Sequence, residues 1–269
     1  MRQILCLITI LVLMTSNCLA GDTETAAPWT PKAEGHVLLD DAKGMLLAPG
    51  HWKRAQWLRA GEAAALVGTL YLGDKTIASA VQRNRSQTTD DFSKAITPFG
   101  GHRALQASVI MIGSGFLSHD TTLRDAGLDS LEAELWAAGL VTPVIKRVAG
   151  RARPIQEEGA SSFHPFSSNH ASFPSGHATN AFAFATAVAA HYDGWVVPTI
   201  VYSIATGVAF ARVNDRAHFP SDVLAGALIG HAVARSVVYR HRSGTRLALG
   251  IAPFFGERFG GVMFTVRKR

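Results

Sequence analysis

Residues 174–190 read PSGHATNAFAFATAVAA. From Ala178 onward the run holds no charge and no helix breaker, and the apolar pattern predicts a helix over 177–192. Ser175 stands where an N-cap belongs, and Gly176 lets the backbone come close to a ligand. The free N–H groups of such a first turn suit an anion. Similar apolar patterns recur over 61–82, 103–118, 128–148, 195–212 and 221–240, with short polar breaks. There is no β–α alternation and no internal repeat. The expected fold is therefore all-α, a helical bundle of about six main helices. The tail 245–266 alternates loosely around Gly250, Pro253 and Gly260-Gly261, which predicts a short C-terminal hairpin.

The first twenty residues differ from the rest. Met1-Arg2 leads into an apolar run from Ile4 to Met14, then the small and polar stretch Thr15 to Ala20. That is the pattern of a secretory signal peptide cleaved after Ala20, and it predicts export to the periplasm. Residues 21–60 are Pro-, Gly- and charge-spotted and are expected as an N-terminal arm with at most a short helix. Residues 61–240 make the helical domain and 241–269 a tail packed on or beside it. Both cysteines, Cys6 and Cys18, lie inside the leader. The expected mature chain thus has no disulfide, no thiolate zinc site and no cysteine nucleophile.

The chain has 26 Lys plus Arg and 20 Asp plus Glu, and losing Arg2 with the leader leaves a net charge of +5. No strand interleaves aromatic and basic residues, so nucleic acid is not an expected partner. A modest positive field suits anionic small molecules or anionic lipid headgroups.

Three motifs lie on the breaks between apolar helices: Lys146-x6-Arg153-Pro154, Pro174-Ser175-Gly176-His177 and Arg212-x5-His218-x3-Asp222. Each alone has a bland alternative. Lys146 and Arg153 can be a solvated basic helix end, as Arg147 and Arg151 are expected to be. His177 can be a surface residue beside a cap, and Asp222 an acid favouring a helix N-terminus. Taken together, and in this order, they supply the parts of a phosphate site. Lys146 is a mobile point charge, while Arg153 and Arg212 offer forked donors to oxygens. A spacing of four lets Asp222 accept from Nδ1–H of His218, leaving Nε2 nucleophilic.

These ten positions resemble the type 2 phosphatidic acid phosphatase (PAP2) family, which is related to the class A bacterial acid phosphatases and the vanadium haloperoxidases. The resemblance runs from Lys146 to Asp222, with similar helical spacing on either side. It implies that His218 is the nucleophile, Asp222 its orienting partner and His177 the general acid. It also implies that Lys146, Arg153, Ser175, Gly176 and Arg212 hold the phosphate. One departure is visible, Ala211 standing where the family usually has a serine before the last arginine. That removes one hydroxyl donor but leaves the nucleophile intact.

The expected chemistry is metal-independent hydrolysis of phosphomonoesters through a phosphohistidine, with no cofactor and with phosphate or vanadate able to occupy the pocket. His102, His119, His164, His170 and His191 show no metal-ligand spacing in the sequence. The first expectation is a soluble periplasmic acid phosphatase. The alternative is an envelope enzyme acting on lipid phosphates or prenyl diphosphates, associated with the membrane. A vanadium-dependent haloperoxidase and a non-catalytic envelope protein rank below both. Against a spanning bundle stand Pro198 within Gly194 to Ala211, Glu132 and Glu134 within another apolar run, and a mean hydropathy of only +0.15.

Overall fold

The computed structural model describes residues 48–242, 247–256 and 259–268. The expected leader and residues 21–47 of the expected arm lie outside the described residues. A short 3-10 turn at Ala48–His51 precedes α1, Arg54–Leu72. Then come α2 at Asp74–Arg83, α3 at Gln87–Ile96, a 3-10 turn at Thr97–Gly100, and α4 at His102–Leu117. Next, α5 spans Thr121–Glu134, passes through a π-helical stretch at Leu135–Val141, and continues as α6, Thr142–Ala149. Three long helices follow: α7 Gly176–Ala190, α8 Val196–Asn214 and α9 Pro220–Arg242. Two strands close the described chain, β1 Leu247–Gly256 and β2 Phe259–Lys268, paired antiparallel from Leu247↔Lys268 to Gly256↔Phe259. The fold is all-α with the C-terminal hairpin that the tail predicted.

The centre of the bundle is α7, whose side chains from Ala178 to Ala189 are buried except Phe184. Its alanines let neighbours approach closely, and it packs against α9, α8 and α5. On the α9 side, Gly226 and Gly230 make that approach; a Cβ at either would come within 2.4 and 2.2 Å of the Ser175 and Thr179 carbonyl oxygens. Only glycine fits where one backbone meets another so closely.

The sequence placed a first helix over 61–82. The structure starts it at Arg54 and breaks it at Gly73, so it becomes α1 and α2. Helix α3 was not expected at all, because its stretch QTTDDFSKAI is mostly polar. It is set by local bonds: Ser86 caps it by accepting from Thr89 N–H at 3.3 Å, and Thr89 Oγ1 accepts from Ser86 N–H at 3.0 Å.

Candidate active site

The residues of the three motifs meet at the end of the bundle where α7 and α9 begin and α8 and α6 finish. Two helix N-termini, each with its partial positive charge, therefore turn toward the same place. Ser175 caps α7, accepting from Ala178 N–H at 3.5 Å, and its own N–H donates to the Asp222 carbonyl at 2.9 Å. That bond ties the start of α7 to the start of α9. Gly176 sits against α6, where a Cβ would meet Lys146 Cε at 3.8 Å, and Thr142 of α6 bonds Thr179 of α7 at 3.1 Å.

Around this corner the structure collects the cations that the sequence singled out. Lys146 Nζ donates to the Ala171 carbonyl at 2.5 Å. Burial, then the nearby charge of Arg153, lowers its ammonium to about 8, which leaves it charged at neutral pH. Arg153 lies exposed on extended backbone, its N–H held by Gln156 Oε1 at 2.6 Å. Arg212 is buried and anchored through short bonds to the Thr97 hydroxyl and the Asp215 carboxylate. Its Nε is buried with no partner among the described residues. A buried guanidinium donor of that kind calls for an acceptor. An oxyanion would supply one.

His177 and His218 both feel these three charges. Burial first, then Arg212, Lys146 and Arg153, push His177 down to about 4. Burial first, then Lys146 and Arg153, hold His218 well below its ordinary value of 6.5. Both rings are therefore neutral at pH 7, so a lone pair is available for attack on phosphorus. An arriving phosphate dianion favours a proton on His177, because opposite charges raise a histidine's affinity for protons.

The link between His218 and Asp222 differs from the one expected. Among the described residues, no hydrogen bond joins the two side chains. Ser172 stands between them instead, donating its hydroxyl to Asp222 Oδ2 at 2.6 Å with the same oxygen 3.5 Å from His218 Nδ1. Asp222 is further held by Phe219 N–H at 2.8 Å and by Arg151 Nη1 at 2.6 Å. Asp222 thus reaches His218 through Ser172 rather than directly.

Arg151 corrects the sequence reading most sharply. Expected as a solvated helix end, it is fully buried. Its guanidinium bridges Asp222 at 2.6 Å and Asp74 at 2.7 Å, and donates to Ser221 Oγ and the Ala160 carbonyl. Tyr71, Phe163 and Phe219 surround it, with ring centroids 4.8, 5.5 and 4.4 Å from Cζ. Arg147, by contrast, is exposed as expected. Ser172, Arg151, Asp74 and Thr97 were missed because their partners are distant in sequence, whereas Asp215, three positions after Arg212, lay within reach of a spacing argument and was passed over. A faint signal existed in the Arg-Ala-Arg repeat at 151–153, where two arginines lie too close together to serve one phosphate in the same way.

Comparison with known proteins agrees with the motifs. Residues 132–246 match the model of the PAP2 superfamily. A "Lipid A 1-phosphatase" from Rhizobium etli is 41% identical over 108 residues, 38% of this chain and 46% of that protein. A "Probable diacylglycerol pyrophosphate phosphatase 1" from Schizosaccharomyces pombe is 28% identical over 169 residues, 49% of this chain and 59% of that one. The chain spans less than two thirds of the length of either relative. Among solved structures, a transmembrane PAP2-type phosphatidylglycerolphosphate phosphatase from Bacillus subtilis aligns with a TM-score of 0.49 at 23% identity, covering 79% of this chain and 98% of that one. The matched segment contains all three motifs, from Lys146 to Asp222, and with them the corner where α6, α7, α8 and α9 meet. Over that segment the chain is similar to the PAP2 superfamily.

Proposed function

We propose that this protein is a phosphatase of envelope lipid phosphates that works through a phosphohistidine. The observation that carries the chemistry is the convergence of Lys146, Arg153 and Arg212 on two neutral histidines, with Arg212 Nε unpartnered. His218 Nε2 attacks phosphorus in line, and the P–O bond to the leaving group breaks. His177, protonated once the phosphate is in place, gives its proton to the leaving oxygen. Water then attacks the phosphoenzyme with His177 as base, releasing phosphate and restoring His218. The three cations and the N–H groups at the start of α7 stabilise charge on the equatorial oxygens, so positive charge comes from the chain itself.

Two observations favour a lipid over the soluble phosphomonoester first expected. The relatives named above are lipid phosphatases by their names. Two helices, Val196–Asn214 and Pro220–Arg242, are long and apolar enough to cross a membrane, and only 22% of the first is buried within the protein. An uncovered apolar helix suits hydrocarbon better than water. The carboxylates that argued against a membrane lie inside the bundle: Glu134 accepts from Ser108 Oγ at 2.7 Å, and Glu132 from Trp136 Nε1 at 3.1 Å. An apolar cavity of about 490 Å³ between α1 and α9, lined by Val67, Tyr71, Phe173 and Leu228 among others, offers further hydrocarbon-like surface.

The experiment is phosphate release from matched lipid and water-soluble phosphomonoesters, run beside His218→Ala and with acid-labile phosphoenzyme trapped during turnover. The expected result is release from the lipid, a trapped phosphohistidine, and loss of both in the variant. Turnover that survives His218→Ala would sink the mechanism. Turnover confined to the soluble ester would restore the acid phosphatase reading and keep the site.

A further inference from the structure

The loop between Arg153 and Ser175 carries a second cluster of side chains, none of them assigned to phosphate. Glu158, His164 and His170 recur at equal spacing along it. The loop folds so that one ligand-capable atom from each lies within 4.8 Å of the others. His164 Nε2 is 2.8 Å from Glu158 Oε2, and His170 Nε2 is 2.9 Å from Glu158 Oε1. The two rings lie 4.1 Å apart, tilted by 33°, and both turn Nε2 to the same carboxylate. Ser162 adds another oxygen, 2.9 Å from His164 Nε2 and 2.8 Å from Glu158 Oε2.

Both histidines are held from behind. Ser167 Oγ is 2.8 Å from His170 Nδ1 and also takes Asn169 N–H at 3.2 Å. When Nδ1–H donates to that oxygen, the Nε2 lone pair faces the cluster, as the outer hydrogen bond of a metal-ligating histidine arranges. His164 is seated through its backbone, its N–H donating to the Gly150 carbonyl at 2.7 Å. Gly150 has φ +56, and a Cβ there would lie 1.8 Å from the His164 carbonyl oxygen. As Nε2–H each ring donates to the Glu158 carboxylate, and as Nδ1–H both lone pairs face it and take a cation between them. Two protons would set two imidazolium rings against each other at 4.1 Å. One divalent ion satisfies both rings from a single centre.

We propose that Glu158, His164 and His170 bind a zinc-type divalent ion through two imidazole Nε2 atoms and one carboxylate oxygen, with Ser162 Oγ or water as the fourth ligand. Two nitrogens and an oxygen are the donor set of a borderline ion such as Zn²⁺ rather than of Ca²⁺ or Mg²⁺. The ion contributes nothing to phosphate charge. Its effect is on the loop: Ala171, whose carbonyl holds Lys146, and Ser172, whose hydroxyl holds Asp222, directly follow His170. Cross-linking 158, 164 and 170 braces the segment that sets both contacts.

The test titrates tag-free, metal-stripped full-length protein with zinc chloride against a chromophoric chelator, and follows hydrogen exchange over 157–172. One equivalent per chain is expected, with slower exchange in the loop on zinc addition. The double variant His164→Ala/His170→Ala should bind at least about 100-fold more weakly, at or beyond the upper range for losing a single outer-sphere partner. Glu158→Gln, which keeps the side chain's size on an exposed loop, should also weaken binding, so a misfolded double variant does not decide the result. His218→Ala should bind zinc unchanged, which separates this inference from the phosphatase reading. Absence of stoichiometric zinc would overturn the proposal. So would equal binding by the double variant, which would assign the ion elsewhere, for instance to the Asp129–His191–His241 group.

Discussion

Arg151 and Arg153 are separated by one alanine, yet one is sealed inside the bundle and the other lies exposed beside Lys146. The three motifs singled out Arg153 because its pattern is local. Arg151 was not legible, since its meaning lies in Asp74 and Asp222, each more than seventy positions away. Removing it leaves two buried carboxylates without a cation. Arg151→Met is therefore expected to cost about 3–5 kcal/mol in a denaturant titration. Adding Asp74→Asn should recover part of that loss, because the two changes act on one network. Glu134 supports a different test. Burial raises its carboxyl from 4.5 to about 7, and Glu134 Oε2 has no hydrogen-bond partner among the described residues. The folded protein keeps a proton that the unfolded chain releases above 4.5. Between those two values the folded state binds more protons, so stability falls as pH rises through the window. Glu134→Gln should flatten that fall when melting temperature is followed against pH.

Among the elements, the long apolar helices were readable from their pattern, with ends displaced by a few residues. Helix α3 was not, because a capping box rather than an apolar face defines its start. The continuous helix expected over 128–148 is interrupted in register by the π-helical Leu135–Val141, which no hydropathy pattern reveals. The Gly226-x3-Gly230 pair drew no notice in the sequence, because its partner lies elsewhere in the chain. The structure supplies that partner in the first turn of α7 and the Ser175 carbonyl. Gly226→Ala should push α9 off the first turn of α7, costing about 1–3 kcal/mol of stability. It should weaken inorganic phosphate inhibition as well. Gly113→Ala, where a Cβ meets nothing within 4 Å, serves as the neutral control. Equal behaviour of the two variants would refute the close-packing argument.

For the whole molecule, much of the ionic chemistry is internal while large apolar side chains stand outside. Val109 and Ile110 on α4, and Val196 and Ile200 on α8, are all more than half exposed. This distribution predicts that the protein stays with the membrane pellet after alkaline carbonate extraction and needs detergent for release. Recovery in the supernatant would point to a soluble bundle. The sequence reading leaned toward a soluble bundle because it counted Glu132 and Glu134 as interruptions, and counting does not tell which way a carboxylate faces. The run of α7, α8 and α9 has a further consequence. Each contributes one end to the corner that holds His177 and His218, and the opposite ends carry Trp195 and Tyr239, both strongly exposed. The fifteen residues of α7 separate the two ends by about 22 Å. Set across a bilayer, such a molecule is a one-sided device. Its chemistry would serve a single leaflet, and the aromatic end would mark the far interface. Inverting the protein in a vesicle should then move the released phosphate from one compartment to the other.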